Sequence, residues 1–151
     1  MSYERFEALV VELCEVVGVP NSNQVLDRGY IEVRGFEVML NNYETDPGAL
    51  YLGFNFGVVM AGRTLRVFRL MLEANLTVYA QDQAQLGMDA ETGCVQLIVR
   101  VPMSGGVDGN WLAETLEHYF EHGKYWKETI VTSSDEMFAG LCSGNYQWIR
   151  A

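Results

Sequence analysis

Phe36-Glu37-Val38-Met39-Leu40-Asn41 and, a few residues on, Leu50-Tyr51-Leu52-Gly53-Phe54-Asn55-Phe56 decide the fold class. In both runs large apolar residues recur at every second position, the period of a strand with one buried face. Between them Asp46-Pro47-Gly48 spells a turn, in which proline presets φ and the glycine is expected to take a positive φ. A short strand over Tyr30–Val33, followed by Arg34-Gly35, precedes this hairpin. Strands joined by such short connections form an antiparallel meander, because a parallel pair needs a crossover of a dozen residues or more.

Helical periods flank the meander. Upstream, Ser2 is placed to cap a helix in which Tyr3, Phe6, Leu9, Val10, Leu13, Val16 and Val17 gather on one side at 100° per residue. Glu4, Glu7, Glu12 and Glu15 fall on the other side, and Gly18 and Pro20 supply the stop. Downstream, Gly62–Leu76 returns to helical spacing. Gln83–Met88 and Cys94–Pro102 then alternate as a second strand pair around the turn Asp89–Gly93. After the flexible Ser104–Val107 loop, Asp108 caps a last helix running to about Glu128, with Leu112, Leu116, Tyr119, Phe120 and Trp126 on its inner arc. The order α-β-β-β-α-β-β-α predicts one α+β domain over residues 1–130, an antiparallel sheet packed by helices. Residues 131–151 read as a tail, partly docked or flexible, in which Ser134-Asp135-Glu136 is a candidate helix cap.

Composition narrows the function. The chain has 151 residues, 49% of them hydrophobic, which is enough to build a core without disulfide or metal staples. Twenty acids against ten basic residues give a net charge of -10, a field that repels phosphate backbones and argues against nucleic-acid binding. No apolar run approaches the roughly 18 residues that span a bilayer. Met1–Glu12 lacks the basic and apolar regions of an export signal, so a soluble cytoplasmic protein is expected. Cys14, Cys94 and Cys142 are odd in number and far apart, which suits reduced thiols rather than a disulfide framework.

No motif assembles a reaction centre. His118 and His122 are spaced i, i+4, but Tyr119 stands where a zincin helix carries its glutamate, and neither a third histidine nor a nearby cysteine completes a metal site. Surface or boundary histidines are the expectation. Glu114, Glu117 and Glu121 read as a solvated face, and no cysteine has a histidine beside it in sequence. No catalytic residue, cofactor or metal is expected.

The anomaly is the helix within Gly62–Leu76. Leu65, Phe68, Leu72 and Leu76 form one apolar stripe, and Val67, Leu70, Met71, Ala74 and Val78 form another on the opposite side. A helix lying on one sheet needs a single stripe, so a second copy, a ligand or the apolar tail must cover the other. A self-complementary stripe suits a two-fold dimer. The reading places Phe68, Leu72 and Leu76 on the protomer's own sheet, and assigns Val67, Leu70, Met71, Ala74 and Val78 to a homodimer interface across this helix. Met39, Tyr51 and Ile98 lend the outer sheet face apolar character, marking it as a candidate binding surface.

Taken together, Leu70-Met71-Leu72-Glu73-Ala74-Asn75-Leu76 and Leu86-Gly87-Met88-Asp89-Ala90-Glu91-Thr92-Gly93-Cys94-Val95 resemble the class I type III secretion chaperones of the Tir-chaperone (CesT-like) family. The first is similar to the end of that family's second helix, the second to the strand-turn-strand that follows. The order of elements agrees over residues 3–130; the Ser104–Gly109 loop and the tail depart from a minimal member. The resemblance implies a homodimer that binds the N-terminal segment of a secreted effector, keeps it extended, and hands it to the secretion apparatus without nucleotide or metal. Strand addition and apolar capture are the physical means. A generic dimeric peptide-binding domain is the alternative within the same class. A small hydrolase using Cys14 or Cys94 with a histidine is the alternative outside it.

Overall fold

The computed structural model describes residues 2–59 and 62–131, and for 129–131 the backbone alone. Its elements in chain order are α1 (Ser2–Val17), α2 (Ser22–Arg28), β1 (Tyr30–Val33), β2 (Phe36–Asn41), β3 (Ala49–Val58), α3 (Thr64–Thr77), a 3-10 turn (Tyr79–Asp82), β4 (Ala84–Met88), β5 (Cys94–Pro102), α4 (Gly109–Tyr125) and a π-helical turn (Trp126–Val131). This is the expected α+β order with one short helix added. The sheet runs β1-β2-β3-β5-β4. The hairpin strands β1 and β2, and likewise β4 and β5, pair antiparallel.

By contacts the described chain divides into two compact units. One holds residues 2–53 with 100–120, the other 54–99 with 121–131.

In the first unit, Arg34 and Gly35 both take positive φ (52° and 80°), the pairing a two-residue hairpin turn demands, and the register Val33↔Phe36 follows. The helix-stopping Gly18–Pro20 stretch is followed by α2, which the sequence reading passed over. Its start is capped by the Asn21 side chain accepting from the Gln24 N–H at 3.1 Å, and its end by Gly29 in the left-handed region, φ 80°. At seven residues it is too short for periodicity to announce. The Asp46–Ala49 turn forms, with the Ala49 N–H donating to the Asp46 carbonyl at 3.2 Å. Gly48 lies outside the left-handed region, however, which corrects the expectation of a positive φ there. Proline followed by a negative φ is type I geometry, which most residues tolerate. Phe6, Leu9, Val10, Leu13 and Cys14 of α1 are buried, as are Leu112, Leu116, Tyr119 and Phe120 of α4. Tyr3 and Val16, read as part of the inner face of α1, are exposed. The capping by Asp108 is present, its carboxylate accepting from the Trp111 N–H at 2.9 Å.

In the second unit, the core is Phe54, Phe56, Val67, Met71, Ala74, Tyr79, Leu86, Val95, Leu97, Val99 and Trp126. The Asp89–Gly93 turn is built as a hairpin link. Asp89 carboxylate oxygens accept from the Glu91 N–H at 2.9 Å and the Thr92 hydroxyl at 3.0 Å, and Gly93 takes φ 76°. These bonds hold the Asp89 carboxyl below its usual range. Tyr79, His122 and Trp126 form a buried polar triangle: the Trp126 indole N–H donates to the Tyr79 hydroxyl at 3.0 Å, and that hydroxyl shares a 2.8 Å bond with His122 Nδ1. Burial pushes the Tyr79 phenol well above its ordinary value, so it stays neutral. The expectation of a surface or boundary histidine fits exposed His118; His122 is instead buried in this network.

Candidate interaction surface

Helix α3 carries two opposed apolar stripes, and the structure exchanges the sides the sequence reading gave them. Val67 (0% exposed), Met71 (6%) and Ala74 (5%) are buried within the chain itself, and Leu70 and Val78 are half-buried. Leu65 (74%), Leu72 (69%) and Leu76 (79%) stand in the open, with Phe68 half-buried at their margin. Thus Val67, Met71 and Ala74 have no surface left to give a partner, and Leu72 and Leu76 do not face the protomer's own sheet. Asn75 lies on the flank between the stripes, and its side chain hydrogen-bonds both backbone groups of Leu86 on β4, at 3.1 and 2.6 Å, contacts that match this rotation of the helix. A helical wheel gives two stripes but not which one turns inward.

Beside the exposed stripe, Phe68, Met71, Leu72, Asn75, Leu86, Gly87 and Met88 line an apolar groove of about 310 Å³. Leu72 and Met88 on its walls are exposed. Three exposed leucines continuous with an apolar groove make a patch of the kind that marks a protein-binding surface.

The sheet residues singled out from sequence fall in different units. Met39 and Tyr51 belong to the first, and Ile98 to the second. Met39 is exposed, while Tyr51 and Ile98 are half-buried. Tyr51 is committed to a cluster that sequence reasoning missed. Arg100 grips Asp46 with two hydrogen bonds, Nε to Oδ2 at 2.7 Å and Nη2 to Oδ1 at 3.0 Å, and the Tyr51 hydroxyl donates to the same Oδ2 at 2.5 Å. The ring of Tyr43, itself exposed, meets that of Tyr51 edge-on at 5.0 Å. The bonds from Arg100 and Tyr51 hold the Asp46 carboxyl down at about 2. Asp46 and Arg100 are 54 positions apart, so spacing offered no signal. The result is a hydrogen-bonded, partly aromatic cluster at Tyr43 and Tyr51.

The titratable groups weighed for chemistry are dispersed. Cys14 is buried, and burial pushes its thiol up, away from the reactive thiolate form. Cys94 is half-buried, and Cys142 lies outside the described residues, as do the tail and its candidate cap. Among the described residues no three His, Cys, Asp or Glu side chains gather to hold a metal ion. Among them, too, no helix is long and apolar enough to cross a membrane.

The model of the Tir chaperone protein (CesT) family matches residues 30–127. Solved structures share the fold. A chain of the ExsC-ExsE complex superposes with a TM-score of 0.69 at 20% identity, covering 87% of this chain and 97% of that one. A chain of the HopA1-SchA chaperone-effector complex gives 0.64 at 14% identity, covering 84% and 96%. One from the complex of the Yersinia pestis type III secretion chaperone SycH with a fragment of YscM2 gives 0.55 at 15%, covering 78% and 96%. At such identities the likeness is one of fold. A search of the curated proteins found no match.

Proposed function

This chain belongs to the Tir chaperone protein (CesT) family, and on that premise we propose that it is a type III secretion chaperone. It binds the N-terminal segment of a secreted effector, holds it soluble and extended, and presents it for export in the bacterial cytoplasm. The family match over residues 30–127, which takes in the sheet, α3 and α4, carries this reading. The surfaces support it. Among the described residues the chain offers exposed apolar and aromatic patches, as a protein that acts by binding requires. The related structures were solved with partners named as an effector or as ExsE, ExoU and YscM2.

The working form is a homodimer, with Leu65, Leu72 and Leu76 of α3 as the two-fold seam and Phe68 at its margin. This assignment replaces Val67, Met71 and Ala74, which the protomer buries. The client lies on other surfaces, with Met39, Tyr51 and Ile98 among its contacts. Coupled ordering of a disordered client limits affinity and so permits release.

The test is co-expression with effectors encoded beside this chain's gene. A complex that survives purification, and that is lost when the effector's N-terminal segment is deleted, is the expected result. Met39→Asp should weaken that complex without changing the chaperone's own association state. Binding that requires only a folded effector domain, with the N-terminal segment dispensable, overturns the reading.

A further inference from the structure

Strand β4 is an edge of the sheet, and nothing in its sequence guards it. Ala84-Gln85-Leu86-Gly87-Met88 has no charge and no proline, the usual devices that keep an edge from pairing with another chain. Its outward backbone groups can be identified. The Asp89 N–H donates to the Cys94 carbonyl at 2.9 Å, just past the last ladder pair Met88↔Val95, which places Asp89 and Cys94 at a hydrogen-bonding position of the ladder's alternation. Such pairs alternate along a ladder. With the register Gln85↔Ile98, Leu86↔Leu97 and Gly87↔Gln96, Gln85 and Gly87 turn their N–H and C=O groups toward β5, and Leu86 turns both outward.

The side chain of Asn75 meets those groups. Asn75 Nδ2 donates to the Leu86 carbonyl at 3.1 Å, and the Leu86 N–H donates to Asn75 Oδ1 at 2.6 Å. One primary amide thus makes both bonds that a residue of an added strand would make. A carboxylate could only accept there, and a methyl group could do neither.

We propose that Asn75 is an edge plug. It closes β4 to strand addition, so that this side of the molecule takes side chains into its groove but refuses the backbone of an extended segment, whether a client's or the β4 of a second copy. The need is acute here because the edge adjoins the apolar groove, where exposed Leu72 and Met88 would reward any strand that settled on it. An uncharged edge beside an apolar groove is an aggregation template unless its hydrogen-bonding groups are occupied.

The experiment compares wild type with Asn75→Ala and with Asn75→Ala/Gln85→Lys, the lysine being added at an exposed position of the same strand. Sedimentation velocity over a concentration series reads association, and infrared spectroscopy reads intermolecular strands. Asn75→Ala should form species larger than wild type, with an intermolecular β signature, and its Leu86 amide should exchange roughly tenfold faster or more. The added lysine should restore the wild-type association state without restoring protection at Leu86. That separation distinguishes an edge plug from a mere anchor for α3. Should Asn75→Ala fail to fold, Asn75→Leu, which keeps the size but can neither donate nor accept, takes its place. A folded variant with the wild-type association state overturns the proposal, and so does association that the lysine fails to reverse. The outcome is independent of whether any effector is bound.

Discussion

Leu72→Asp and Met71→Asp are adjacent substitutions of the same kind, and the structure sends them to opposite outcomes. Leu72 is 69% exposed in the protomer and Met71 is 6% exposed. In the single chain Leu72→Asp removes little buried surface, so its cost to folding should fall within about 0.5 kcal/mol, as for most surface changes. In a two-fold seam the substitution acts twice. Each leucine lost removes about 1–2 kcal/mol of apolar burial, given roughly 1.5–3 kcal/mol for a fully buried side chain and the share of Leu72 that is open. Each aspartate must also be desolvated or must hold the seam open. Together these weaken association by at least about 3 kcal/mol, or more than roughly a hundredfold in Kd. Met71→Asp instead strands a carboxylate in the protomer's core, which costs about 3–5 kcal/mol of folding stability and produces partly unfolded chain. Sedimentation equilibrium from nanomolar to tens of micromolar, with urea unfolding on the same samples, reads both quantities. A dimeric wild type, a folded monomeric Leu72→Asp and a destabilised Met71→Asp are expected. A Leu72→Asp dimer as tight as wild type, or a wild type that is monomeric throughout, refutes the seam.

Two other outcomes follow from buried or clamped polar groups. Tyr79→Phe deletes the hydroxyl that accepts from Trp126 and bonds His122, leaving the buried indole N–H without that partner; the loss should be about 1–3 kcal/mol by urea unfolding, and a change below about 0.5 kcal/mol would show the triangle contributes little. Asp46 has its folded value lowered from 3.8 to about 2 by Arg100 and Tyr51, so its stabilising contribution is full above the unfolded value and is lost as pH falls through about 2. Asp46→Asn should therefore be less stable than wild type at neutral pH and show a flatter decline between pH 4 and 2; parallel urea midpoints for the two proteins across that window would contradict the clamp.

What the sequence disclosed and what it withheld divide along physical lines. The strands and long helices announced themselves because each has one buried face, and a repeated face leaves a period: Phe36-Val38-Leu40 at two, Leu112-Leu116-Tyr119-Phe120 at the helical spacing. The Asp108 cap was legible for a related reason, since it acts on an N–H three residues away. Helix α2 was missed because seven residues hold barely one recurrence of any period, although Asn21 and Gly29 bracket it with recognisable caps. In the Arg100–Asp46–Tyr51 clamp and the Tyr79–His122–Trp126 triangle, Arg100 and Tyr79 each bond residues more than forty positions away, and no local pattern encodes such pairings.

The misassigned stripe of α3 is the most instructive case. Periodicity measures how apolar residues are distributed around an axis; it carries no information about the zero of rotation. The stripe of Leu65, Phe68, Leu72 and Leu76 and that of Val67, Leu70, Met71, Ala74 and Val78 are comparable in bulk, so apolar content does not say which one turns inward. The Asn75 side chain distinguishes the two rotations. Burying the leucines against the chain's own core would carry Asn75 away from Leu86 and strand two backbone groups at an unguarded sheet edge, each unmade bond costing about 1–3 kcal/mol where water is excluded. The observed rotation satisfies the edge and leaves the leucine stripe outside, where a monomer gains nothing from it. Exposed apolar side chains grouped in this way mark a surface suited to a partner. If Asn75 closes the strand edge as proposed, the same two hydrogen bonds go with the outward-facing leucines, and a partner would meet this side of the chain through side chains on a helix rather than through an open edge of its sheet at β4.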